Sequence, residues 1–247
     1  MLWVGTSWKM NKTLAEATDF TNGLLDAVAG GAPAGVQPFI IPPATALTTV
    51  RAILGPDSPV EVGVQNAHWE DAGAWTGEIS VPQAADAGAS LVEIGHSERR
   101  EFFAETDQTV NLKVKATLRH GLRPLLCVGE PAEVFASGGS VAHIMAQVAA
   151  ALEGVDDVGR VLIAYEPIWA IGEHGREAGP DDIVAVFAAL DAEYGDRVEA
   201  ILYGGSVNQG NAAETLGVDG VTGLFVGRSA WQIDGYLDLL RIAAATV

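Results

Sequence analysis

Val161-Leu-Ile-Ala-Tyr-Glu-Pro-Ile-Trp-Ala-Ile-Gly172 is a short apolar run that ends abruptly at one carboxylate, Glu166. Val161 to Ala164 has the composition of a strand buried on both faces, as in a parallel sheet. Pro167 ends the run and biases the preceding residue to extended backbone, so Glu166 is presented at the strand exit rather than folded into a helix. The carboxyl ends of parallel strands are where α/β proteins place their chemistry. Glu166 is thus either a functional group or a glutamate that merely opens a loop.

Outward from this run, similar strands read at Leu2 to Thr6, Gln37 to Ile41, Val60 to Gln65, Leu91 to Ile94, Arg123 to Val128, Glu199 to Tyr203 and Gly223 to Val226. Helical stretches fall between and after them, near 13–28, 44–54, 81–87, 106–120, 138–152, 180–194, 210–216 and 233–244. Thr13 with Glu16 has the spacing of a capping box. Eight βα units in 247 residues, with no composition break, read as one closed (β/α)8 barrel domain over 1–247. An open doubly wound sheet is the structural alternative, but the GxGxxG fingerprint is absent after the first strand. No P-loop, HExxH or CxxC pair is present, so a metal site has no support.

The formal charge of −18 repels nucleic acid, anionic membranes and anionic substrates alike, so any phosphate site has to be built locally. The lone cysteine, Cys127, lies in an apolar run and reads as buried filler; an internal disulfide is impossible, which fits a reducing compartment. Residues 1–8 lack a signal-like pattern, and no window spans a membrane. A soluble cytoplasmic protein is expected.

Lys9, Gln65, His96, Glu166, Ser206 and Gly227 all follow strand ends. A closed barrel brings those ends to one rim. Lysine, histidine and carboxylate around one mouth suit proton transfer beside a carbonyl: the carboxylate takes the proton, a neutral imidazole donates to the developing oxyanion, and the ammonium supplies fixed charge. The bland readings are a solvated Lys9 and a helix-start ion network around His96. Glu98, Arg99 and Arg100 read as structural, and Trp231 as packing. The glycine turns at 204–206 and 227 are tight turns or a backbone cradle for phosphate. Residues 66–78, with Trp69 and Trp75, are too apolar to lie bare; docking into a second subunit is expected, with a lid as the alternative.

Five blocks carry a resemblance: Trp8-Lys-Met-Asn11, Thr76-Gly-Glu-Ile-Ser80, Gly95-His-Ser-Glu-Arg-Arg100, Ala164-Tyr-Glu-Pro-Ile-Trp-Ala-Ile-Gly172 and Tyr203-Gly-Gly-Ser-Val207. Through them the chain resembles triosephosphate isomerase along essentially its whole length. The resemblance implies a TIM barrel, a cytoplasmic homodimer and no cofactor. It implies Lys9 as the electrostatic residue, His96 as the electrophile and Glu166 as the base; a glutamate base with a neutral histidine is the known pairing of that family. It further implies a closing lid over 167–177, hinged at Pro167 to Trp169. Residues 66–78 would dock into the neighbouring subunit and place Thr76 near that subunit's lysine. Glu98 would support the site, and Gly172, Ser206, Gly227 and Arg228 would surround the phosphate.

The departures point to a branch. Ser7 stands where the family has asparagine, the lid reads Ala170-Ile-Gly-Glu-His-Gly-Arg-Glu-Ala178, and the last turn is Gly227-Arg-Ser229 rather than paired glycines. Ser7 makes room beside the reacting carbons for a hydroxymethyl group. In these features the chain is similar to the tetrulose-phosphate branch, which serves erythritol and threitol breakdown and interconverts L-erythrulose 1-phosphate and D-erythrulose 4-phosphate. The alternatives are a triosephosphate isomerase with drifted loops and a non-catalytic barrel that binds sugar phosphates.

Overall fold

The computed structural model describes residues 1–171 and 175–247. Eight parallel strands close into one barrel in chain order: β1 (Leu2–Ser7), β2 (Val36–Ile41), β3 (Glu61–Val64), β4 (Leu91–Ile94), β5 (Arg123–Val128), β6 (Leu162–Tyr165), β7 (Ala200–Tyr203) and β8 (Gly223–Val226). Closure is the pairing of β1 with β8, Trp3 opposite Gly223 and Thr6 opposite Val226. The expected barrel forms, with small shifts at strand ends. Val161 is still in the preceding turn, its N–H bonded to the Val158 carbonyl, so β6 starts one residue late.

The helices among the described residues are α1 (Leu14–Ala27), α2 (Leu47–Leu54), α3 (Val81–Asp86), α4 (Ser97–Phe102), α5 (Asp107–Arg119), α6 (Ala132–Ala136), α7 (Ser140–Ala151), α8 (Pro180–Tyr194), α9 (Ala212–Leu216) and α10 (Ile233–Ala244). Thr13 and Glu16 form the capping box that starts α1. The short helices α4 and α6 lie in loops that the periodicity left open. None of these helices is long and apolar enough to cross a membrane.

Period-2 alternation sorts each strand into two cores. Leu91, Leu125 and Leu162 point to the barrel axis with Trp3, Phe39 and Phe225. Val92, Leu126 and Ile163 point outward to the helices. The axis is filled to contact: a Cβ on Gly5 would lie 2.3 Å from the Phe39 ring, so that ring occupies the space a side chain would take. With the interior solid, only the rim is left for chemistry.

One buried carboxylate ties this scaffold to the rim. Glu105 Oε1 accepts from the Gly95 N–H at 2.8 Å, and Oε2 accepts from Arg99 Nε at 2.9 Å and Lys113 Nζ at 2.6 Å. Burial alone would raise its pKa, but Lys113 and Arg99 reverse this and hold the carboxyl below its usual range. Removing Glu105 strands the buried Lys113 charge and frees the turn before His96. Glu105→Ala is expected to cost about 3–5 kcal/mol, read as a lower urea midpoint at fixed protein concentration.

Candidate active site

Ser7, Lys9, His96, Glu166, Gly204 to Ser206 and Gly227 lie at or just past the carboxyl ends of β1, β4, β6, β7 and β8, and line one cavity of about 420 Å³. The rim expected from the sequence therefore forms.

Lys9 has φ +50°, a left-handed backbone that is strained for a non-glycine residue. Its neighbours hold it there. Trp8 is fully buried, edge-on to Phe20 at 5.0 Å, and Asn11 Nδ2 donates to the Trp8 carbonyl at 2.9 Å. Gln65 Nε2 donates to the Lys9 carbonyl at 2.8 Å, so Gln65 supports the lysine backbone. Lys9 Nζ donates to Glu98 Oε1 at 2.7 Å. Burial works against its charge, but Glu98, Glu166 and Glu93 outweigh it and raise its pKa above that of ordinary lysine. On Glu98, burial is likewise overcome by Lys9 and His96, and its pKa is lowered.

His96 is the N-cap of α4, and its Nδ1 accepts from the Glu98 N–H at 3.2 Å. A backbone N–H can only donate, so in the neutral ring this bond places the one proton on Nε2. Nε2 lies 3.8 Å from Glu166 Oε2, too far for a hydrogen bond. Oε2 is buried with no hydrogen-bond partner among the described residues. An orphaned buried carboxylate oxygen is costly, and it is what a base needs before a proton arrives. Gly204 makes its position possible, since a Cβ there would come within 2.6 Å of Glu166 Cγ.

Ser7 is buried, and its Oγ donates to Glu93 Oε2 at 2.8 Å. Glu93 escaped the sequence reading, although a charge inside the buried run Leu-Val-Glu-Ile was a visible signal. It is two residues beyond Leu91 and shares the axial face. Burial pushes its pKa up to about 7, with Glu166 adding to the rise and His96, Ser7 and Lys9 opposing it. Trp231, expected as packing, lines the cavity and donates Nε1 to the Ser7 carbonyl at 3.0 Å.

The segment after β6 has its own anchor. Buried Glu130 Oε1 accepts from the Tyr165 hydroxyl at 2.9 Å, Trp169 Nε1 at 2.9 Å and Ser140 Oγ at 3.0 Å. Ser206 Oγ donates to the Ala170 carbonyl at 2.5 Å, and Asn208 Nδ2 to Glu177 Oε2 at 3.0 Å. Gly172 lies outside the described residues. Gly227 precedes a 3-10 turn, Arg228–Ala230, and with Arg228 and Ser229 forms another wall of the cavity. Arg99 and Arg100 make scaffold contacts: Arg99 binds Glu105, and Arg100 donates to the Gly95 carbonyl and Asp107. Thr76 is exposed and is absent from the wall of its own chain's cavity. In the same loop His68 stacks on Trp69 at 4.1 Å and lies tilted against Trp75 at 4.3 Å; Trp69 is partly covered and Trp75 half exposed. No cluster of groups suited to a metal ion occurs among the described residues.

Comparison with known proteins agrees with this geometry. The family model described as triosephosphate isomerase matches residues 2–243. An L-erythrulose-1-phosphate isomerase of Mycolicibacterium smegmatis is 62% identical over 99% of this chain and 94% of its own length. A protein of the same name from Mesorhizobium japonicum is 51% identical over 99% and 98%. The crystal structure of triosephosphate isomerase from Bartonella henselae superposes with a TM-score of 0.86 at 33% identity, covering 98% of both chains. The chain belongs to the triosephosphate isomerase family.

Proposed function

We propose that residues 1–247 act as one barrel domain that interconverts L-erythrulose 1-phosphate and D-erythrulose 4-phosphate by proton transfer through an enediol. The observation that carries this reading is the unpaired Glu166 oxygen, 3.8 Å from the protonated nitrogen of His96 and beside the Lys9–Glu98 pair. The substrate follows from the two relatives of that name and from Ser7, which is smaller than the family's asparagine.

Glu166 takes the C3 proton of L-erythrulose 1-phosphate. The electron pair moves into a C2–C3 double bond, and negative charge develops on the C2 oxygen. His96 Nε2–H and the Lys9 ammonium stabilise that charge; the C3 hydroxyl proton passes to the C2 oxygen by way of His96 Nε2, and the same two groups stabilise the charge left on the C3 oxygen as Glu166 returns the carbon-bound proton to C2. The keto group has then moved from C2 to C3. The neutral histidine and glutamate base are the familiar pair of triosephosphate isomerase itself. Ser206, Gly227 and Arg228, with Gly172, are the proposed phosphate surround, and Glu98 holds Lys9.

The protein is proposed to be a homodimer through residues 66–78. Trp75 is half exposed, and Met10, Phe102 and Phe103 are largely exposed. Met10 and Phe103 line a second cavity of about 380 Å³, which also reaches Lys9, and the neighbour's Thr76 is proposed to enter there. The proposed setting is the cytoplasm, in erythritol and threitol breakdown. A paired assay on L-erythrulose 1-phosphate and dihydroxyacetone phosphate tests the substrate. The tetrulose phosphate is expected to win in kcat/KM by about 100-fold, since a buried polar group left unpaired with the wrong substrate costs about 1–3 kcal/mol. A win for dihydroxyacetone phosphate makes the chain a triosephosphate isomerase with drifted loops.

A further inference from the structure

The cavity that holds Glu166 and the second cavity share one wall: Ser7, Lys9, His96 and Glu98. Glu93 lies on the second side only. With phosphate at the Ser206–Gly227 end, as proposed, the reacting C2 and C3 atoms sit among Lys9, His96 and Glu166. The remaining carbon, C4, then points away from the phosphate, across Ser7. Dihydroxyacetone phosphate ends before this point, whereas L-erythrulose 1-phosphate adds a hydroxymethyl group there.

We propose that Glu93, oriented by Ser7, is the specificity residue that receives the C4 hydroxyl of the four-carbon substrate. This rests on the isomerase reading above and adds to it the group that tells four carbons from three. Three further observations support it. Glu93 is almost wholly buried on the barrel axis, where the residues below it are apolar. Its Oε2 is occupied by the Ser7 hydroxyl, while Oε1 makes no hydrogen bond among the described residues. Glu93 also lines the second cavity, so this carboxyl borders the space into which C4 extends.

The chemistry suits an alcohol. A hydroxyl both donates and accepts, so it bonds Glu93 whether the carboxyl is ionised or protonated. That matters because burial holds Glu93 near neutrality, with a pKa of about 7. Ser7 has two effects here. Its small side chain takes up little of the wall between the two cavities, and its hydroxyl fixes one carboxylate oxygen. In the proposed dimer, the neighbour's loop closes the outer mouth of this cavity and leaves Glu93 at its base.

The test is kcat/KM of wild type, Glu93→Leu and Glu93→Gln on L-erythrulose 1-phosphate and on dihydroxyacetone phosphate, with circular dichroism to check folding. Glu93→Leu is expected to lower the tetrulose value by about 10- to 100-fold, the range for a lost hydrogen bond to a charged group. It should leave the triose value within a few-fold. Glu93→Gln keeps the volume and an acceptor oxygen, so an intermediate loss on the tetrulose alone is expected, and this variant decides the matter if the leucine protein does not fold. Equal loss on both substrates in the folded variants would make Glu93 merely structural and overturn the inference while the isomerase reading stands. A wild-type preference for the triose phosphate overturns both.

Discussion

Glu166→Gln is expected to lower kcat on L-erythrulose 1-phosphate by about 10³- to 10⁴-fold, the upper part of the range for a positioned general base. The amide matches the carboxylate in size but cannot take a carbon-bound proton. On the free-energy scale the loss is about 4–5.5 kcal/mol of barrier. Stability should move the other way. Glu166 Oε2 is buried with no hydrogen-bond partner among the described residues, so wild type carries a desolvation cost that a neutral amide largely relieves. An unchanged or higher melting temperature beside a collapsed kcat is therefore the expected signature. Incorporation of deuterium from solvent at C3, followed by NMR, should vanish with turnover. A barrel that only binds sugar phosphates would show neither change.

The same residue shows how far the sequence could be read. Glu166 was legible because a buried strand announces itself by composition and a following proline fixes its exit. The other strands followed by the same logic, and a closed barrel then required their ends to converge. Lys9, His96 and Ser206 were found for that reason and not by local pattern. Glu93 was missed because its run was read as uniformly apolar, although the alternation that puts Leu91 on the axis puts Glu93 there too. Trp231 packs against the core as read, but its bond to the Ser7 carbonyl, 224 residues away, was out of reach because only closure of β8 onto β1 brings the two together. The helices α4 and α6, at 6 and 5 residues, are too short to show a period of 3.6. Thr76 is of another kind: its expected role needs a second chain, and no feature of one chain's packing can express it.

Lys9→Met is expected to lower kcat/KM by about 10³-fold or more, which is about 4 kcal/mol of transition-state stabilisation. The reason is the charge balance of the site. Lys9 faces Glu93, Glu98 and Glu166, and the whole chain carries −18, so an incoming phosphate ester meets this ammonium against a repulsive background. Without it, Glu98 loses its 2.7 Å partner and the enediolate loses a cation. Binding and chemistry both suffer, so KM should rise while kcat falls. Because the folded site raises the lysine's pKa, Lys9 stays protonated through neutral pH, and the wild-type profile should show no limb from its titration. Strain and charge can be separated here. Lys9→Gly removes the same cation but is at ease at φ +50°, whereas methionine inherits the left-handed cost. The two variants should therefore be equally inactive, with the glycine protein the more stable by about 1 kcal/mol. Should Lys9→Met retain activity that Lys9→Gly lacks, the strained backbone rather than the ammonium would be the catalytic contribution at this position.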